Sequence, residues 1–234
     1  MYIARKKDER GSTATDWLQS KHSFSFSHYY DSEHMGFGPL RVINEDWVSP
    51  GTGFDTHGHK NMEIITYVLE GALAHKDSTG TGASIAPGEV QMMSAGKGIL
   101  HSEFNASDKK TVHLLQIWIM PEVMNTQPGY QQKAFAPEDM QDRFRLLVSK
   151  DGSEGSLVMK QDARLYAARL GNGKALQFPL ESNRKYWLQI ARGALDIQGQ
   201  SFEAGDGLAM EQERGVLNIT AHTPAEVLLF DLPQ

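Results

Sequence analysis

Apolar positions along this chain fall in short runs or alternate with polar ones, and helical periodicity is scarce. Glycine, 22 residues in all, punctuates those runs. Runs of four to eight β-branched and aromatic residues bounded by turn formers are the pattern of many short strands. The pattern predicts strands at 40–44, 63–69, 91–94, 113–120, 145–149, 164–170, 186–191, 194–197, 216–220 and 227–232. Lys76-Asp77-Ser78-Thr79-Gly80 and Lys150-Asp151-Gly152 read as turns. One short helix is predicted at 137–143, where Pro137 opens and Glu138 and Asp139 suit the first turn.

The pattern also repeats. Tyr67-Val68-Leu69-Glu70-Gly71-Ala72-Leu73 is followed by Ala86-Pro87-Gly88-Glu89. Leu188-Gln189-Ile190-Ala191-Arg192-Gly193-Ala194-Leu195 is followed by Glu203-Ala204-Gly205-Asp206-Gly207. Each reads strand, glycine turn, strand, and a second glycine turn into another strand. An all-β chain of two related barrels follows, with domains at 1–132 and 133–234. The join falls in 121–132, which holds Asn125-Thr126-Gln127-Pro128-Gly129 and little apolar periodicity.

A length of 234 residues is enough for two small cores. A net charge of −6 with no basic block argues against nucleic-acid binding. The one basic cluster, Arg5-Lys6-Lys7, is followed at once by Asp8-Glu9. No apolar window is long enough to span a membrane, and MYIARKKDER lacks the apolar core of a signal peptide. The expectation is a cytoplasmic monomer. Cysteine is absent, which removes disulfides, thiolate ligands and thiol nucleophiles. Any metal site must use nitrogen and oxygen ligands.

Two short motifs supply them. His57-Gly58-His59 and His101-Ser102-Glu103 each carry metal-competent side chains at i and i+2. In a strand, residues two apart share a face. If both segments are strands of one barrel, three imidazoles and a carboxylate converge. With nine His in the chain, a single H-x-H means little by itself. Here Gly51 precedes the first pair, and Glu63 and Gly71 follow it. Glu63 is a further candidate carboxylate that spacing alone does not eliminate. The second half has no H-x-H, and its one His is His222, so the metal site is assigned to the first barrel.

These residues resemble the cupin pattern and, more closely, the pirin family. Gly51-x5-His57-Gly58-His59-x3-Glu63-x7-Gly71 is similar to the first cupin motif with its last gap one residue longer. Gly88-x5-Ser94-Ala95-Gly96-x4-His101-x3-Asn105 is similar to the second, with Ser in place of Pro and a longer gap before His. Pirins share those departures. They also share the run His22-Ser23-Phe24-Ser25-Phe26-Ser27-His28-Tyr29-Tyr30-Asp31 and the segment Gly36-Phe37-Gly38 with Leu40-Arg41-Val42. The likeness is dense over 2–122 and weaker beyond. It is greatest to the bacterial pirin-like proteins described as quercetin 2,3-dioxygenases.

The resemblance implies a bicupin with metal ligands His57, His59, His101 and Glu103, and gives Glu63 a supporting role. It implies one divalent transition metal, Fe(II) by expectation, with Zn, Ni, Co, Cu and Mn as alternatives. The implied reaction is opening of the central ring of a flavonol such as quercetin by dioxygen, with release of carbon monoxide. Three imidazoles, one carboxylate and a divalent ion leave one positive charge in excess, which favours an ionised phenol. Glu103 is either a permanent ligand or the base that takes the flavonol proton. Phe54 and Met62 are candidates for an apolar wall. His113 is a pocket candidate too, although its place on the Leu115/Ile117/Ile119 face suits a buried, hydrogen-bonded His better. His22 and His28 sit among aromatics, and His75 and His222 read as surface residues. The alternative function is a non-catalytic metal-binding pirin that acts through a regulatory partner.

Overall fold

The computed structural model describes residues 1–234. Its strands form two seven-stranded and two four-stranded sheets. In the first half, the large sheet runs Gly129–Ala134, Glu89–Ser94, Glu63–Glu70, Val112–Ile119, Leu40–Val48, Leu18–His22, Gly11–Ala14. The small sheet runs Gly53–His59, Ile99–Asn105, Leu73–Asp77, Gly82–Ile85. The second half repeats this order. Its large sheet runs Tyr2–Arg5, Gly207–Glu211, Arg184–Arg192, Ala225–Pro233, Arg164–Leu170, Arg145–Ser149, Leu157–Val158. Its small sheet runs Ala175–Leu180, Gly215–Ala221, Ala194–Ile197, Gln200–Glu203. The chain is therefore all-β, a pair of cupin-like barrels. No helix is long and apolar enough to cross a membrane.

The glycine turns that mark the repeat share one conformation. Gly71 and Gly193 have φ of +76° and +80°, and Gly88 and Gly205 have +91° and +93°. At Gly71 and Gly193 a Cβ would also collide with a neighbouring backbone carbonyl, of Thr111 and Pro224 respectively. Only glycine meets both demands without strain.

The equivalent edge strands of the two large sheets come from different places in the chain. Tyr2–Arg5, from the start of the chain, pairs with Gly207–Glu211 in the second barrel. Gly129–Ala134 pairs with Glu89–Ser94 in the first. The helix is shorter than the predicted 137–143, Pro137–Met140. Asp142 adopts φ +50° and its N–H donates to the Arg169 carbonyl at 2.7 Å, so pairing to a neighbouring strand ends the helix early.

The two large sheets pack face to face. A cluster of 26 buried apolar residues lies between them, including Ile65, Leu115, Ile117 and Ile119 from one and Trp187, Leu228 and Phe230 from the other. A second cluster of 17 fills the interior of the second barrel. In the first barrel the interior holds only small apolar clusters of 6 and 4 residues. Equivalent strands explain the difference. Gly215–Ala221 turns Leu217, Ile219 and Ala221 inward, and Ile99–Asn105 turns His101, Glu103 and Asn105 inward. One barrel has an oily centre and the other a polar one.

Removing residues 133–234 is expected to expose the inter-barrel face and leave Tyr2–Arg5 without its partner. Burial of that face contributes about 25 cal/mol per Å², and an exposed apolar sheet associates. The fragment should aggregate and bind a hydrophobic dye. A soluble, monomeric, fully active fragment would contradict this.

Candidate metal centre

Strands Gly53–His59 and Ile99–Asn105 pair antiparallel, with His101 opposite His57 and Ile99 opposite His59. Alternation turns Ile99, His101, Glu103 and Asn105 into the barrel and leaves Leu100 and Phe104 exposed. A register shift between His101 and Glu103 sets Glu103 opposite Phe54. Such bulges re-aim a side chain.

The ligating atoms of His57, His59 and His101 lie within 4.8 Å of one another. Nε2 of His57 stands 3.0 Å from Nε2 of His101. His57 Nδ1 lies 2.7 Å from the Asp55 carbonyl oxygen, which can only accept, so Nδ1 carries the hydrogen and Nε2 is bare. His59 sits edge-on to Trp118, with ring centroids 4.8 Å apart.

Glu103 forms a second group within the same distance, with His101 and His75. Its Oε2 accepts from Gln116 Nε2 at 2.9 Å. Thr66 Oγ1 donates to Gln116 Oε1 at 2.9 Å and so turns the amide NH₂ toward Glu103. Glu103 Oε1 is buried without a hydrogen-bond partner. An unpaired buried acceptor costs about 1–3 kcal/mol.

Burial shapes the ionisation of this cluster. It pushes His59 down to about 4, with help from His57. It pushes His101 down to about 3, with His57 and His59 adding to the effect. Glu103 is pushed up to about 7 by burial and then by Asp46, against the Gln116 hydrogen bond. Asp46 is likewise raised to about 7, chiefly by burial. His59 and His101 are thus neutral with lone pairs available, and the carboxyl lacks a compensating positive charge. A bound cation would reverse that balance.

Beside the cluster lies a cavity of about 280 Å³. Phe26, Phe54 and Trp118 form its apolar walls, and Asn44, Asp46 and Gln116 are among its polar groups. His22 lines it too, held between Asn44 Oδ1 at 2.8 Å and Thr13 Oγ1 at 2.9 Å.

The other sequence candidates fall elsewhere. Met62 packs on Ile64, Met93, Ala95 and Ile99. His113 bonds Glu45 Oε1 at 2.9 Å and stacks on Trp47. It lines a separate cleft of about 490 Å³, because its strand turns it with Leu115 and Ile117 away from the first barrel's interior. That cleft is larger, yet it holds no cluster of ligating groups. Glu63 accepts from Ser94 Oγ at 2.8 Å and the Lys160 N–H at 3.0 Å, a structural tie. His28 and His222 are exposed.

His75 is not at the surface. It is 3% exposed, points into the barrel, and bonds Asp77 Oδ2 at 3.0 Å. The adjacent turn suggests exposure, but the turn begins only after Asp77, and alternation carries His75 inward. Asp46, Gln116 and Trp118 also line the site, and no sequence motif marks them. The His75-x-Asp77 spacing matches the other two pairs and was the available signal.

The pirin family model matches residues 4–119, and the model described as the quercetinase C-terminal cupin domain matches 146–232. A protein named quercetin 2,3-dioxygenase from Escherichia coli (strain K12) is 45% identical over 233 residues, covering 100% of this chain and 99% of the relative. A pirin-like protein of Caulobacter vibrioides is 39% identical and covers 96% of each. The crystal structure of YhhW from Escherichia coli superposes with a TM-score of 0.95 at 45% identity, over 100% of this chain and 98% of that one. The structure of the bacterial pirin YhhW in complex with nickel(II) gives 0.94 at 45% identity, over 100% and 99%.

Proposed function

This chain belongs to the pirin family, and on that premise we propose that it is a metal-dependent dioxygenase that opens flavonols such as quercetin. One observation carries the metal site. The bare Nε2 of His57 and the Nε2 of His101 converge to 3.0 Å, close enough for both to bind one ion. The orphaned Glu103 Oε1 and the depressed imidazoles fit the same requirement. His57, His59, His101 and Glu103 hold one divalent ion in this reading, and Fe(II) is the ion we assign. Nitrogen and carboxylate donors with positions left free suit Fe(II) oxygen chemistry. The relative solved with nickel(II) supports a site for a divalent transition metal.

When bound, the metal supplies Lewis-acid and redox chemistry toward the flavonol and dioxygen. The chain's own residues do the rest. Phe26, Phe54 and Trp118 present flat apolar surface to an aromatic ligand. The cavity is near the lower end of the roughly 300–1,000 Å³ typical of small-molecule sites, which favours a thin substrate. Asn44 and Gln116 offer polar groups for its oxygens. Glu103 would give up the ion to take the proton of the flavonol 3-hydroxyl through Oε1, while Gln116 holds Oε2 still. Ring opening then consumes dioxygen and expels carbon monoxide.

The test is anaerobic loading with Fe(II), followed by oxygen uptake with quercetin. Stoichiometric loss of dioxygen and quercetin, with carbon monoxide in the headspace, is the expected result. A loaded protein that binds quercetin and consumes no oxygen would refute the reading.

A further inference from the structure

Behind His101, away from His57, lies a buried pair that the proposed reaction does not use. Strand Leu73–Asp77 lies beside Ile99–Asn105, with Asp77 opposite His101 and His75 opposite Glu103. Both side chains are fully buried. His75 Nδ1 stands 3.5 Å from His101 Nδ1, and the Tyr130 ring covers His75 with centroids 4.9 Å apart.

For a neutral His75, hydrogen-bond logic places the protons. Asp77 Oδ1 accepts from the Thr79 N–H at 2.8 Å, the Thr79 hydroxyl at 2.6 Å and the Thr81 N–H at 3.3 Å. Every partner of that carboxylate is a donor, so His75 must present Nε2–H to Oδ2. A neutral His75 then has a bare Nδ1. The nitrogen of His101 that faces it must carry hydrogen, which leaves His101 Nε2 bare and turned to His57. Gln91 Nε2 also stands 3.5 Å from His75 Nδ1. Two donors share one lone pair, which accounts for both contacts being long.

We propose that His75 and Asp77 are positioning residues that lock His101 in the tautomer and orientation that present Nε2 to the metal. The inference rests on the ligand set proposed above. Partners behind a ligating His orient it and raise its basicity, and their loss typically costs about 10–100-fold in metal affinity. Asp77→Asn is nearly isosteric but offers an amide that can donate. His75 then reverses its tautomer and two N–H groups meet. His75→Phe removes the acceptor. His75→Gln restores one through its side-chain carbonyl.

The measurement is Ni(II) titration of metal-free protein against a competing chelator, with no flavonol present. Asp77→Asn and His75→Phe should weaken Ni(II) binding by about 10–100-fold, and His75→Gln should recover most of that loss. In the Zn(II)-loaded wild type, long-range ¹H–¹⁵N correlation should show His75 protonated at Nε2 and bare at Nδ1. Asp77→Asn should reverse it. The inference is overturned if wild type binds Ni(II), His57→Ala loses it, and both Asp77→Asn and His75→Phe bind as tightly as wild type. The opposite His75 tautomer overturns it as well. So does a second Ni(II) per chain that vanishes with His75→Phe, since a metal would then stand where the hydrogen bond is placed. A wild type that takes up no metal instead removes the ligand assignment and this inference with it.

Discussion

The double substitution His57→Ala/His101→Ala should abolish metal uptake while the fold persists. The two imidazoles face each other across 3.0 Å, so both bonds and the geometry between them go together. Structural zinc sites with four ligands are worth roughly 10–16 kcal/mol of apparent binding, an upper bound for this open site. Shared over four ligands, that is about 3 kcal/mol each, or on the order of 10²-fold per ligand and 10⁴-fold for the pair. Metal content after anaerobic Fe(II) or Ni(II) loading reads the effect, and circular dichroism checks the fold. The second barrel, with its apolar interior and the 26-residue interface, is untouched by the change. Full metal retention in the double variant would end the site assignment.

Glu103→Gln should have the next largest effect, on turnover. The variant keeps the volume and one oxygen donor and loses charge and basicity. At saturating Fe(II) it should still hold metal and bind flavonol, with turnover down by about 10²–10⁴-fold. The pH dependence of metal uptake separates its two contributions. Without metal, Glu103 is raised to about 7, so below that value a proton must leave before the carboxylate can ligate. His59 and His101, at about 4 and about 3, are already neutral throughout that range. Apparent metal affinity should therefore climb as pH rises from 6 toward 8 and level off above, and Glu103→Gln should flatten that climb. Recovery of full turnover by excess Fe(II) alone would assign Glu103 to metal holding only. Near wild-type turnover at ordinary metal levels would shift the role to another carboxylate. Asp46 is the one that lines the cavity, whereas Glu63 is tied to Ser94 and the Lys160 amide and does not line it.

Period-two alternation and the spacing of glycines were enough to determine the all-β class, the repeat, and the shared face of each i, i+2 pair. These are local properties: side chains in a strand alternate whatever surrounds them, and a left-handed turn at Gly71 or Gly193 is a demand on one residue. The metal-competent pairs were legible for the same reason. Which strands neighbour one another was not. Pairing of Tyr2–Arg5 with Gly207–Glu211 spans nearly the whole chain, and no window of sequence contains both. His113 shows the limit within a single strand. Alternation puts it on the Leu115 face, but only the packing of two large sheets turns that face toward the second barrel and away from the first barrel's interior. His75 shows the converse: beside a turn it reads as exposed, and the neighbouring strand Ile99–Asn105 brings it against His101. Burial also decided the chemistry, because identical His and Glu side chains in water would hold opposite protonation states near pH 5–6. Residue type and spacing picked out His57, His59, His101 and Glu103, but closure of the first barrel set which groups meet, His75 among them, and in what ionisation state.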